Sequence, residues 1–253
     1  VVLAAQRSDD PDKLGLKDRV MPTSANKSIL IVGASRGLGC AMAAEYLKLG
    51  WSVVGTVRGA AKTPLHDLLE PSGGRLEIET VDICEPDQVA VLHSRLSGRT
   101  FDVLFVNAGV SNGPGETIAE VTTEEFTRVM VTNALSPMRV IETMRDLVAA
   151  GGTIGAMTSG LGSVANNTTG MWESYRASKA ALNTLMRSFA ARHRDDPLAM
   201  VLMAPGWVRT DMGGPNARLS IEESVPNIVK TLLSVEGTRG LQYLDYLGQT
   251  VPW

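Results

Sequence analysis

The chain is poor in the residue types that would signal a disulfide scaffold or a metal centre. It has two cysteines, Cys40 and Cys84, and three histidines, His66, His93 and His193, among 253 residues. Two cysteines make no disulfide framework, and both lie in apolar stretches that read as buried, inert thiols. The scattered histidines offer no ligand spacing, so no metal is expected. An excess of one charge is also lacking. With 24 basic side chains against 27 acidic ones, there is no basic field for nucleic acid or an anionic membrane surface. No apolar run approaches the roughly 20 residues that span a bilayer. The opening Val1-Val-Leu-Ala-Ala5 is too short for a signal-peptide core and has no basic segment before it, so the cytoplasm is the expected compartment.

Strands and helices alternate from Ser28 onward. Residues 1–27 are polar, contain Pro11 and Pro22 and show no period, and they read as an N-terminal extension outside the fold. Residues 28–253 then form one domain. Apolar runs at Ser28–Val32, Trp51–Val57, Leu76–Val81, Phe101–Val106, Thr153–Thr158, Leu198–Ala204 and Leu241–Leu244 read as strands. Between them lie helical stretches that end at Leu49 before Gly50, cover Pro86–Leu96 with Pro86 in the first turn, and open at capping boxes Thr122-x-x-Glu125 and Ser220-x-x-Glu223. Such alternation predicts right-handed βαβ units: a single-domain, Rossmann-type α/β fold, doubly wound, with helices on both faces of a parallel sheet.

Gly33-Ala-Ser35-Arg36-Gly37-Leu38-Gly39 falls between the first strand and the first helix. A dinucleotide fold places its pyrophosphate there, against free N–H groups at a helix N-terminus. A glycine-rich turn also serves purely structural ends, so its position carries the argument. The second strand ends Thr56-Val57-Arg58 with no carboxylate to bind a ribose 2′-hydroxyl, and Arg36 adds a second cation. Two guanidiniums suit a 2′-phosphate, which favours NADP(H) over NAD(H). Solvated surface arginines would look the same in sequence.

Tyr175 and Lys179 are four residues apart and share one helix face. A phenol with a reference pKa of about 10 is a weak acid near neutrality, and a neighbouring cation lowers that pKa. The same spacing fits an amphipathic helix with a half-buried Tyr and a snorkelling Lys. Asn133 lies inside the helix opened by Thr122, where Asn is unfavourable, and Pro137 four residues on predicts a kink. The alternative is a solvent-facing Asn near a helix bend.

Together, Gly33-x-x-x-Gly37-x-Gly39, Asp82, Asn107-Ala-Gly109, Asn133, Ser159, Tyr175-x-x-x-Lys179 and Pro205-Gly206 resemble the short-chain dehydrogenase/reductase family, in family order. The ending Tyr243-Leu-Asp-Tyr246-x-Gly248-x-x-x-Pro252-Trp253, with Trp172 and Arg176 flanking Tyr175, is similar to its C-factor-like branch. The resemblance implies Tyr175 as general acid/base and Lys179 as the cation lowering its pKa and binding the nicotinamide ribose. It implies Ser159 as the group polarising the carbonyl, and Asn133 as the holder of a relay water. It also implies Asp82 and Ile83 at the adenine, and Asn107, Ala108 and Gly109 on the adenosine–ribose side. Pro205, Gly206, Val208 and Thr210 would border the nicotinamide.

Val32 and Val106 stand where the family commonly has Thr and Asn. The Ser159–Tyr175 interval exceeds the usual spacing, which makes Ser163 a second candidate serine. The short segment Asp211–Asn216 before the next helix predicts an open site. The expected activity is NADPH-dependent reduction of a small carbonyl compound, or oxidation of a secondary alcohol, by a homodimer or homotetramer. A non-catalytic dinucleotide sensor on the same fold is the rival. A sugar-nucleotide epimerase or dehydratase would need a substrate domain that the chain has no length to form.

Overall fold

The computed structural model describes residues 27–113 and 115–253, so the N-terminal extension, apart from Lys27, lies outside the described residues. Seven strands form one parallel sheet in the order β3-β2-β1-β4-β5-β6-β7. They are β1 (Ser28–Val32), β2 (Ser52–Val57), β3 (Leu76–Thr80), β4 (Phe101–Val106), β5 (Val148–Met157), β6 (Ala199–Ala204) and β7 (Gly240–Asp245). The helices are α1 (Gly37–Lys48), α2 (Pro86–Leu96), α3 (Thr123–Met130), α4 (Ser136–Met144), α5 (Glu173–Arg192) and α6 (Ile221–Ser234). The doubly wound fold expected from the alternation is the fold observed.

The sheet's two faces carry separate cores, because successive strand residues point to opposite sides. On one face Leu30, Val32, Leu104 and Val106 pack with Leu92 and Leu96 of α2, Ile141 of α4 and Met186 and Phe189 of α5. On the other, Ile29, Ile31, Val103 and Phe105 pack with Met42 and Tyr46 of α1 and Ile228 and Leu232 of α6. Chain order runs outward from β1 through β2 to β3, then returns to place β4 on the other side of β1. That reversal opens a crevice beyond the carboxyl ends of β1 and β4, where open α/β sheets bind ligands.

Three local expectations are corrected. β5 begins at Val148, five residues before the predicted start, because the Gly151-Gly152 pair interrupts its period and its pairing with β4 shifts register between Phe101 and Val103. The Thr122 hydroxyl accepts from the Glu125 N–H at 3.1 Å, but the Glu125 carboxylate turns to Arg128, so this capping box is half formed. The Ser220–Glu223 box is complete. Cys40 and Cys84 are free but only half-buried. No described helix is long and apolar enough to cross a membrane.

Candidate active site

Every predicted site residue but Asn133, Tyr175 and Lys179 follows the carboxyl end of a strand, and a parallel sheet brings those ends to one edge. The β1–α1 turn packs directly on the segment after β4. A Cβ on Gly33, whose φ is +91°, would sit 2.7 Å from the Ala108 backbone. One on Gly39 would fall 2.2 Å from the Gly33 carbonyl and 2.6 Å from Asn107 Nδ2. The Asn107 amide donates to that same carbonyl at 2.7 Å. Both glycines are therefore required by close approach. No side chain caps α1, and its first turn holds no acid, so its leading N–H groups are available to an anion.

Arg58 is exposed at the end of β2. Arg36 is also exposed and forms an ion pair with Asp211 of the segment after β6. In high dielectric such a pair holds weakly and can exchange for another anion. Asp82 Oδ1 accepts from the Cys84 N–H at 2.9 Å, and Ile83 is buried beside it. After β6, Gly206 and Val208 lead to Thr210, whose hydroxyl accepts from the Gly213 N–H at 3.1 Å. A parallel bridge from Val208 to Leu219 closes this short loop, which contains no helix.

Asn133 faces no solvent: its exposure is 0%. It lies in a π-helical turn, Val131–Leu135, that joins α3 to α4 in place of the expected kink. The Ser136 N–H reaches back five residues to the Val131 carbonyl. Pro137 has no N–H to give the Asn133 carbonyl, which loses its α-helical partner. The side chain is wholly engaged, accepting from the Val110 N–H and donating to the Val110 carbonyl, both at 2.8 Å, and donating to Ser178 Oγ at 3.0 Å.

Helix α5 supplies Tyr175 and Lys179. The Ser159 hydroxyl is the side chain that acts on the Tyr175 phenol, and it accepts from the Leu161 N–H at 3.1 Å. Ser163, the second candidate, is buried and caps its own loop through the Asn166 N–H at 3.1 Å. Of the two serines, Ser159 is the one that bears on Tyr175. Lys179 Nζ, 5.8 Å from the Tyr175 ring centroid, donates to the Met157 carbonyl at 3.0 Å.

The electrostatics reverse one expectation. Burial pushes Tyr175 up to about 12, against the lowering effect of the Ser159 hydroxyl. Burial also brings Lys179 down to about 8. The ammonium is itself short of solvation, and desolvation of the phenolate outweighs its attraction.

Two residues, Tyr243 and Asn183, went unread as parts of the site in the sequence. The Tyr243 hydroxyl donates to the Ser159 carbonyl at 2.5 Å, and Asn183 accepts from Thr158 at 2.7 Å while donating to the Gly162 carbonyl at 3.3 Å. Together they brace the segment that carries the serine from both sides. The sequence marked Tyr243 only as part of the C-terminal branch pattern. A surface depression lined by Ile78, Thr80, Gln88, Val91 and Arg95 lies beside edge strand β3 and includes none of these groups.

The family model for short chain dehydrogenases matches residues 27–218. The chain belongs to the short-chain dehydrogenase family. One relative, the C-signal protein of Myxococcus xanthus, is 39% identical over 154 residues, covering 60% of this chain and 92% of its own. That likeness agrees with the branch read from the sequence. Among solved structures, a short-chain dehydrogenase/reductase from Burkholderia multivorans with bound NADP superposes with a TM-score of 0.89 at 62% identity, covering 90% of this chain and 99% of that one. A carbonyl reductase from Pseudomonas aeruginosa PAO1 in complex with NADP gives 0.84 at 35% identity, covering 90% and 100%. This short-chain dehydrogenase thus shares its family's oxidoreductase class as well as its fold.

Proposed function

We propose that the protein is an NADPH-dependent carbonyl reductase, equally a secondary-alcohol dehydrogenase in reverse, with Asn133, Ser159, Tyr175 and Lys179 at its catalytic centre. The observation that carries this is the buried Lys179 ammonium 5.8 Å from the Tyr175 ring, held on the Met157 carbonyl next to the segment that bears Ser159.

The residues present fit a dinucleotide. The uncapped N-terminus of α1 and the Gly33–Gly39 turn, with Ser35 and Leu38, suit a pyrophosphate. Arg58 and Arg36, with no carboxylate at the end of β2, suit a 2′-phosphate. Asp82 and Ile83 would hold the adenine, and Asn107, Ala108 and Gly109 the adenosine–ribose side. Lys179 and Tyr175 would hold the nicotinamide ribose, and Pro205, Gly206, Val208 and Thr210 the ring. The bound cofactor supplies a hydride.

The chain's own residues supply geometry and a proton. With its pKa near 12, Tyr175 stays protonated through neutral pH and keeps the proton that a carbonyl oxygen takes as it gains charge. Ser159 Oγ polarises the same oxygen from a fixed position. Lys179, near 8, carries its charge at neutral pH and stabilises the phenolate left after transfer. Asn133 locks the loop after β4 through its side chain, and its carbonyl, which Pro137 has no N–H to bond, would hold a relay water. The short loop between Thr210 and Leu219 leaves the site open to varied carbonyl compounds.

The helices carrying Asn133 and Tyr175 expose Leu135 and Leu185, apolar surface suited to a homodimer or homotetramer joined there. NADPH oxidation against ketones, aldehydes and quinones, with Tyr175→Phe in parallel, tests the reading.

A further inference from the structure

Arg176 is a buried cation with no carboxylate. Its exposure is 7%, and the acceptors around its guanidinium are all neutral. Nε donates to the carbonyls of Gly170 at 3.0 Å and Met171 at 2.8 Å, and Nη2 donates to Thr169 Oγ1 at 3.0 Å. A desolvated charge spent on a loop backbone needs a reason.

The loop provides one. Met171 and Trp172, with φ of 58° and 57°, are the only non-glycine residues with positive φ among the described residues, and they are adjacent. A left-handed backbone is costly for large side chains and survives only where its surroundings impose it. The Arg176 fork imposes it here. Trp172 thereby occupies the N-cap of α5, a place where Ser, Thr, Asp or Asn would cap better, and it makes no cap bond. What the strain achieves is the position of the indole, edge-on to the Tyr175 ring at a centroid distance of 6.3 Å and an interplanar angle of 65°. Met171 stands 58% exposed beside it. The Glu173 carboxylate accepts from the Ile118 N–H at 2.9 Å, tying a second segment with a 56% exposed apolar residue to the same corner.

We propose that Met171 and Trp172, held by Arg176 as a positioning residue, form the apolar wall of the substrate subsite and select carbonyl compounds with an aromatic group on the carbonyl carbon. The inference rests on the reductase reading. A substrate oxygen within hydrogen-bond reach of the Tyr175 hydroxyl puts its carbonyl substituents a few ångströms from that ring. An aryl substituent there meets the indole in the tilted geometry aromatic pairs prefer, whereas a small alkyl group leaves the wall uncovered.

The test compares acetophenone with 2-butanone. Wild type is expected to favour acetophenone in kcat/KM by about tenfold or more, the range one apolar group supplies in a pocket. Trp172→Ala is expected to lose about tenfold of that ratio through the KM for acetophenone, and Trp172→Phe to retain most of it. Arg176→Lys keeps the charge without the fork and should behave like Trp172→Ala. Equal losses on both ketones in Trp172→Ala, or no aryl preference in wild type, would overturn the proposal. Saturation-transfer NMR of acetophenone separates this from the reductase reading. Binding that depends on Trp172 without any carbonyl turnover would keep the subsite and reject the reductase, and binding unchanged in Trp172→Ala would reject the subsite.

Discussion

The side chain of Asn133 exchanges two hydrogen bonds with the backbone of Val110, both 2.8 Å long. That exchange fixes the turn after β4, where a Cβ on Gly109 would lie 3.2 Å from Asn133 Oδ1 and 3.4 Å from Lys179 Nζ. Asn133→Ala leaves both Val110 groups without partners and is expected to destabilise the fold by about 2 kcal/mol or more. Activity should fall with it, because the loop shares its position with Lys179. Urea unfolding and steady-state rates check both. Asn133→Asp keeps the acceptor, loses the donor and should fall between.

Lys179 gives a pH signature in stability. Its folded pKa near 8 lies below the ordinary value of 10.5, so between those values the unfolded chain binds more protons than the folded one, and stability rises with pH. Burial of the charge costs most below pH 8, and the cost disappears above pH 10.5. Relative to Lys179→Met, wild type should gain up to about 3 kcal/mol as pH rises through this window. Tyr175 titrates in both proteins and cancels. Urea midpoints at pH 7.5 and 10.5 measure it, and a gap independent of pH would show that the ammonium is not desolvated.

In the proposed reading, cofactor choice rests on two exposed guanidiniums. Arg58→Asp places a carboxylate where a 2′-phosphate is expected and should raise the KM for NADPH by about tenfold or more, with a smaller change for NADH. Arg36→Ala should act in the same direction. An unchanged NADPH-to-NADH ratio in both variants would remove the arginines from the phosphate site.

Tyr243→Phe deletes only the hydroxyl that donates to the Ser159 carbonyl. A lower kcat at unchanged NADPH KM is expected, as in Ser159→Ala, where the loss should reach about a hundredfold. Ser163→Ala should lose far less, since Ser163 caps its own loop.

The elements were legible where apolar runs end at glycine or a cap. β1, β4 and α2 fall where the pattern puts them, and Gly33 and Gly39 of the β1–α1 turn have the close contacts their spacing implied. β5 was read short because its first half carries two glycines in place of alternating side chains. Asn133 was visible as a residue out of place, yet its hydrogen bonds to Val110 span 23 positions that no local pattern encodes. Spacing alone put Tyr175 and Lys179 on one face. The direction of the tyrosine's shift depends on how deeply both are buried, which is a property of packing. Arg176 and Tyr243 stood out only as marks of a branch, and their partners emerged with the loop before α5 and the end of β5.

The most direct test of the central claim is NADPH oxidation by purified protein with ketones, aldehydes and quinones, alongside Tyr175→Phe. The account predicts turnover in wild type and a loss of about a hundredfold or more in the Phe variant, with NADPH still bound. Tight NADPH binding with no turnover of any carbonyl, or full activity in Tyr175→Phe, would contradict it.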